Sequence, residues 1–285
     1  MSVEKIKKFL LKALKRTGIA IAVINVLTVF LAFGTYVYNS ACLKKESALI
    51  KHKGQYVEVD GQNMNLYIEG SGDKTLILMA GSGVPSPILE FKPLADRLSD
   101  RYQVVIIEKF GYGYSDEIDG ERTVGIITEQ DREALRVAGF EAIWWVNKYP
   151  EEVEAIIGLD MGVPEQYDYM GVDWDNVAPE APQRSAEENE FYDFGVYKVG
   201  LMRYMNAQEI FPAIGSVELT EEERNEYRAL MYSIYSLGSE ATINHEQWIT
   251  QRFLNEMREI HDGPIPDVPT LLFVSDGEMM AQMVG

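Results

Sequence analysis

Residues 75–115 read TLILMAGSGVPSPILEFKPLADRLSDRYQVVIIEKFGYGYS, in which two apolar runs each lead into a glycine-rich turn. The runs 75–80 and 103–108 have the length and aliphatic content of buried strands. Between them, 92–98 has a helical pattern, with Pro93 at a position that suits the first turn of a helix. A strand, a helix and a second strand in this order predict a parallel crossover unit.

Similar runs on either side extend this unit into a larger α/β fold. Four further strands are predicted, at 55–60, 63–69, 153–159 and 270–274, the first two joined at Gly61 as a hairpin. Helical spacing and capping-box patterns predict helices at 123–137, 142–148, 186–205, 221–237 and 242–260. Continuous apolar strands that alternate with helices favour a mostly parallel sheet covered on both faces.

The composition excludes several classes of function. The 285 residues carry a formal charge of −19, which argues against a nucleic-acid-binding role. Cys42 is the single cysteine and there are three histidines, so neither a disulfide framework nor a Cys-based zinc site is expected. The sequence has no phosphate loop and no complete dinucleotide fingerprint. We therefore expect no metal and no cofactor.

The first forty residues differ from the rest. They hold six cations and one acid, so the remaining residues carry −24. The uncharged run 18–38 is about 30 Å long as a helix, enough to cross a bilayer. The basic segment 1–17 predicts a cytoplasmic N-terminus, with the following domain outside the cell membrane. A cleaved signal peptide, with a site at 32–34, and a buried helix are the alternatives.

Several segments, in order, resemble the α/β-hydrolase superfamily. The hairpin at 56–69 is similar to the family's first two strands, and 78–83 (LMAGSG) to the loop after its third strand. The segment 108–115 resembles its D-x-x-G-x-G-x-S turn, with Glu108 for Asp. Residues 148–160, which contain YPEEV and IIGLD, resemble the approach to its sixth strand and that strand itself. The resemblance implies a hydrolase core at 50–164, a helical cap at 165–265 and a final core segment at 266–285.

Two departures from the family concern catalysis. No serine stands in the nucleophile motif G-x-S-x-G. The predicted helices on either side of residues 139–141 adjoin directly, so the fifth strand and nucleophile turn, about 15–20 residues in the family's layout, are expected to be missing. The family's catalytic histidine follows its last strand, whereas this sequence ends at Gly285. His245 falls in a cap helix and His261 in the loop before strand 270–274.

The resemblance leaves a partial set of candidate site residues. Asp160 and Asp276 each follow a strand where the family can place its catalytic acid, and either is a candidate. Ser82 and Gly83 are candidates for an oxyanion or substrate site, and Ser115 for a substitute nucleophile. We also expect strand 153–159 to pair beside 75–80, in the slot of the missing strand, which would bring Asp160 near the vacated nucleophile position.

Three functions follow as hypotheses. The first is a membrane-anchored α/β hydrolase of the ester or amide class that is inactive or truncated in this form. The second is a non-catalytic pseudo-enzyme that binds a ligand or a partner. The third is an active enzyme with a non-standard serine. The resemblance implies a small apolar ester or amide as substrate or ligand. A fragment, an erroneous reading frame and a degenerate gene copy would all explain the missing segments.

Overall fold

The predicted hairpin is confirmed. In the computed structural model, β1 (Gln55–Val59) pairs antiparallel with β2 (Gln62–Glu69). Asp60 and Gly61 between them have positive φ values of 53° and 77°, as a type I′ turn requires. The structure describes residues 3–81, 83–118, 122–135, 149–159, 198–237, 258–259, 263 and 268–273.

The crossover unit is also confirmed. β3 (Thr75–Met79) and β4 (Gln103–Glu108) are parallel and adjacent, and β2 pairs antiparallel on the other side of β4. The order in this sheet is β1-β2-β4-β3. β4 occupies the interior of the sheet and is buried from its second residue onward, which explains its continuous apolar sequence.

The helix between β3 and β4 begins earlier than predicted. α2 spans Pro87–Leu98, and Ser86 is its N-cap, with the hydroxyl accepting a bond of 3.4 Å from the Leu89 amide. The prediction that Pro93 opens the helix is wrong, because Pro93 lies inside it. Pro87 fills the first helical position instead, where the amide that proline lacks has no partner within the helix.

Helices cover both faces of this sheet. α2 packs on one face, and α3 (Val124–Leu135), which confirms the central part of the predicted helix at 123–137, packs on the other. The cluster under α2 contains Leu78, Ile88, Ala95, Val104 and Ile106. The cluster under α3 contains Val59, Met64, Leu66, Ile107, Phe110 and Ala134. Neighbouring residues of β4 thus point to opposite cores, as the pleat requires.

The prediction that strand 153–159 pairs with strand 75–80 is wrong. β5 (Ile156–Leu159) pairs in parallel with β6 (Thr270–Phe273), and these two form a separate sheet among the described residues. Two ion pairs hold the entry of β5, Lys74 with Glu154 and Arg132 with Glu152. They tie this entry to the start of β3 and to α3 without bringing the two strands into one hydrogen-bonded ladder.

The described part of the predicted cap is helical, but not throughout as expected. α4 (Ala207–Ile210) and α5 (Glu221–Leu237) are α-helices. The capping box of α5 is confirmed, because the Glu223 amide donates to the Thr220 hydroxyl at 3.2 Å and the Thr220 amide to the Glu223 carboxylate at 2.9 Å. The predicted helix at 186–205 lies outside the described residues up to residue 197.

Lys198 is still helical, in a π-helical conformation, but the prediction of one α-helix to residue 205 is wrong. Residues 199–200 form a turn, and a 3₁₀ helix follows at Leu201–Tyr204. Gly200 has a φ of 74°, a left-handed conformation that ends an α-helix. The predicted helix at 142–148, and that at 242–260 except for residues 258–259, lie outside the described residues.

α1 (Val3–Glu46) is one continuous helix that contains the predicted span 18–38. By length and composition, its part from Lys12 to Glu46 is suited to cross a membrane, and none of the most apolar stretch is buried in the protein. The buried-helix alternative therefore does not agree with the structure. Large apolar side chains are exposed along the span, among them Ile24, Leu27, Phe30 and Leu31.

Candidate functional site

The loop after β3 carries the amide that the resemblance assigns to an oxyanion hole. Gly83 has a φ of 86°, and its amide donates a hydrogen bond of 2.9 Å to the Tyr112 hydroxyl. This hydrogen bond is buried, and only 1% of Tyr112 is exposed. An oxyanion site needs amides directed at the substrate oxygen. In this structure the Gly83 amide is directed at the Tyr112 hydroxyl, in the position that a substrate oxygen would occupy.

The turn after β4 is bonded tightly to the same loop. The Gly113 amide donates to the Pro85 carbonyl at 3.0 Å, and the Gly111 amide to the Asp116 carbonyl at 2.9 Å. Gly113 has a φ of 53°, and a Cβ at this position would overlap the Glu108 carboxylate. A side chain here would meet that buried carboxylate in a left-handed backbone conformation, which accounts for the second glycine of the G-x-G spacing.

Ser115 ends this turn, and its hydroxyl is occupied by the backbone. The hydroxyl donates to the Glu108 carbonyl and accepts a bond of 2.8 Å from the Asn65 amide. A serine becomes nucleophilic when a neighbouring base removes its proton. Here the proton is directed at a peptide carbonyl, which is not such a base. The contacts instead attach the end of the turn to β2.

Glu108 lies under the turn and is completely buried. Its carboxylate accepts bonds of 2.9 Å from the Tyr114 amide and from the Asn65 side chain, and a longer contact of 3.4 Å from the Ile88 amide. Burial raises the pKa of Glu108 from 4.5 to about 7, although these donors oppose the rise. Glu108 thus joins β2, the turn and the start of α2, and it titrates near neutral pH.

A second buried acid, Glu226 of α5, lies above the turn with 1% of its surface exposed. It forms an ion pair with Lys53 and accepts bonds of 2.6 Å from the Tyr114 hydroxyl and from the Lys51 amide. Burial and the bond to Glu226 raise the pKa of the Tyr114 hydroxyl. These contacts attach α5 to the core, at the same turn that lies over Glu108.

The structure brings only some of the predicted site residues together. Gly83 and Ser115 lie on two segments that are hydrogen-bonded to each other through Tyr112 and Gly113. Ser82, Asp160 and Asp276 lie outside the described residues, as do His245 and His261. The roles of Ser82, Asp160 and Asp276 therefore stay predictions.

His52 is the histidine that the structure describes, and it is close to this site. Its Nε2 is 3.0 Å from the Asn65 side-chain oxygen, and its ring stacks on Tyr56 with centroids 4.3 Å apart. Asn65 thus stands between His52 and the turn that holds Ser115. Sequence reasoning gave no role to His52, Asn65 or Glu226, because each contributes through partners distant in sequence. In the described part of the chain, no group of three or more His, Cys, Asp or Glu side chains is arranged to hold a metal ion.

The sheet order, the crossover through α2 and the glycine turns after β3 and β4 define an α/β-hydrolase fold. Solved structures agree. ALR0039 of Nostoc sp. PCC 7120, classed as an α/β hydrolase, has a TM-score of 0.54 at 15% identity and covers 81% of this chain and 83% of its own. A mutant of DbjA has a TM-score of 0.51 at 14% identity, with coverage of 81% and 86%. The chain therefore has the α/β-hydrolase fold.

A sequence relative is also known. The chain is 31% identical over 288 residues to the uncharacterized protein YbdG of Bacillus subtilis strain 168, an alignment that covers 94% of this chain and 82% of YbdG. No protein-family model matches the sequence. The 288 aligned positions exceed the 285 residues of this chain, so YbdG has residues inside the alignment for which this chain has no counterpart.

Proposed function

We propose that this protein is a membrane-anchored member of the α/β-hydrolase superfamily, of the ester or amide hydrolase class, with little or no hydrolytic turnover in this form. The observation that carries the proposal is the Ser115 hydroxyl, whose proton is donated to the Glu108 carbonyl. Acyl transfer by a serine needs a base and an oxyanion hole. The Gly83 amide, the candidate for that hole, is bonded to Tyr112.

The sequence supports the same proposal. The motif G-x-S-x-G is absent from all 285 residues, and the place expected for it lies inside the chain, between residues 138 and 142. Asp160 or Asp276 would then be the remaining acid of a former triad. A small apolar ester or amide is the ligand class that the superfamily suggests.

Membrane anchoring is the other part of the proposal. It is supported by the uncharged segment 18–38, by its exposed apolar side chains and by the basic residues that precede it. In this arrangement residues 1–17 lie in the cytoplasm, and the hydrolase domain lies outside the cell membrane. A cleaved signal peptide would give a protein that is released by mild extraction without detergent.

A fluorophosphonate probe tests the loss of catalysis, because it labels serines that are activated as nucleophiles. We expect no labelling of the full chain in mild detergent, while a known serine hydrolase in the same tube is labelled completely. Ser115→Ala and Ser82→Ala are matched variants. Labelling that disappears in either variant would identify an active serine and refute the proposed inactivity. Saturable binding of an apolar ester without turnover would favour the ligand-binding alternative.

A further inference from the structure

The end of α1 is attached to the segment 198–205 by a half-buried polar cluster. The Arg203 guanidinium donates bonds of 2.7 Å and 2.6 Å to the Glu46 carboxylate, and another to the Asn39 side chain. Asn39 is 1% exposed, and its amide donates to the Lys198 carbonyl at 3.2 Å. Because Asn39 directly follows the span 18–38, the segment 198–205 is held at the end of that span.

The direction of α5 shows which of its ends lies closer to the end of α1. Near its start, Glu222 pairs with Lys51, which follows α1 in sequence. Ten residues later, the Tyr232 ring lies 4.3 Å from the Arg203 guanidinium. α5 therefore runs back toward the end of α1, and the ten residues from Glu222 to Tyr232 extend over about 15 Å along the helix axis.

The surface of the attached segment has the composition of a membrane interface. Leu201, Tyr204 and Met205 are 45%, 63% and 52% exposed. Tyr204 directly follows Arg203, which is bonded to Asn39 at the end of the span. Exposed lysines stand close in sequence to the attached parts, at positions 44 and 45 next to Glu46 and at position 198. Aromatic and basic side chains together are typical of the headgroup level of a bilayer.

We propose that Leu201, Tyr204 and Met205 form a membrane-docking surface, which inserts into the headgroup layer of the bilayer that α1 enters. This inference rests on the membrane anchoring proposed above. It adds a second contact with the lipid, made by the cap itself. The occupant of the surface is a lipid layer, because the span that ends beside Tyr204 brings the bilayer surface to this level.

The test uses the full chain in nanodiscs of phosphatidylcholine and phosphatidylglycerol. In a Cys42→Ser background, single cysteines replace Phe30, Tyr204 or Val217 and carry an environment-sensitive fluorophore. Val217 is 94% exposed and precedes α5 on the side away from the span, so it serves as the matched control. Quenching by lipids with a spin label in the headgroup or in the acyl chain then reports the depth of each position.

We expect headgroup-labelled lipid to quench the probe at 204 several-fold more than the probe at 217. We also expect the same lipid series to quench position 30 from the acyl chain. Quenching at 30 without quenching at 204 would overturn the docking surface and leave the anchoring intact, whereas no quenching at 30 would refute both. Blue-shifted emission at 204 without lipid quenching would indicate a protein partner, such as a second copy, and would overturn the proposal.

A second variant tests the attachment and leaves the span unchanged. Arg203→Ala removes the bonds to Glu46 and Asn39. With this substitution, we expect quenching at 204 to fall several-fold while quenching at 30 stays the same. Unchanged quenching at 204 would show that the cluster does not hold the segment at the membrane, and would contradict the geometry argued here.

Discussion

Replacing Glu108 by glutamine should remove a pH dependence of stability that the structure attributes to one buried acid. Glu108→Gln keeps the size of the side chain. Its oxygen can accept the two 2.9 Å bonds from Asn65 and Tyr114. The new amide group would face the Ile88 amide, where the present contact is 3.4 Å and therefore weak. The main change is thus the loss of a titrating proton.

The size of the effect follows from linkage. The pKa of Glu108 rises from 4.5 to about 7 on folding, so the folded state holds this proton more firmly than the unfolded state. The corresponding stability is fully present below the unfolded pKa and is lost as the pH rises through 7. Between about pH 5 and pH 8, the free energy of unfolding should fall by about 2–3 kcal/mol because of this group.

Urea denaturation of the full chain in mild detergent, followed by intrinsic fluorescence at several pH values, measures the effect. Between about pH 5 and pH 8, the free energy of unfolding of the Glu108→Gln variant should fall by about 2–3 kcal/mol less than that of the original protein. Glu58→Gln is the matched control, because it removes the same charge from an exposed position on β1. It should leave the pH dependence unchanged.

Equal pH dependence in the original protein and in Glu108→Gln would refute this reasoning. It would mean that water or a rearranged turn solvates the carboxylate, and that burial does not govern its proton. A large loss of stability in Glu108→Gln at all pH values would also count against the argument. In that case the carboxylate would act mainly as an acceptor of hydrogen bonds that glutamine cannot replace.

Three further substitutions test the contacts around this turn by the same denaturation assay. Tyr114→Phe removes the 2.6 Å bond to Glu226 and should cost about 1.5–3 kcal/mol, and an unchanged midpoint would mean that water replaces the hydroxyl. Gly113→Ala should cost about 2–4 kcal/mol because its Cβ would meet the buried carboxylate, whereas Gly81→Ala, with open space, should be nearly neutral. Thr220→Ala should cost about 1 kcal/mol by removing the cap of α5, and Thr220→Ser should restore most of it.

The elements that sequence predicts well are those determined by neighbouring residues. The hairpin turn at Asp60-Gly61, the strand 103–108 and the capping box at Thr220 each depend on local backbone preferences or on a continuous apolar run. The start of α2 was misplaced because two prolines, Pro87 and Pro93, both suit a helix start when read alone. Capping by the Ser86 side chain decides between them.

The contacts of the candidate site could not be predicted in this way. The Tyr112 hydroxyl reaches Gly83 across 29 positions, and Glu226 reaches Lys53 across 173. Such contacts depend on how complete elements pack, and no local pattern encodes them. The predicted pairing of strand 153–159 with strand 75–80 was wrong because strand pairing also depends on distant parts of the chain. Crossover geometry permits a strand beside β3, but the partner that β5 takes is β6, which lies more than a hundred residues later.

If α1 crosses a bilayer as proposed, its continuity has a consequence for how the domain lies over the membrane. From residue 18 to Glu46 the helix contains no proline, and its far end is held by Arg203. In a bilayer thinner than the span, a helix without a kink can respond by tilting, and membrane helices are tilted by about 20° on average. A domain rigidly joined to such a helix would tilt with it by the same angle. Bilayer thickness would then determine which side of the cap approaches the lipid.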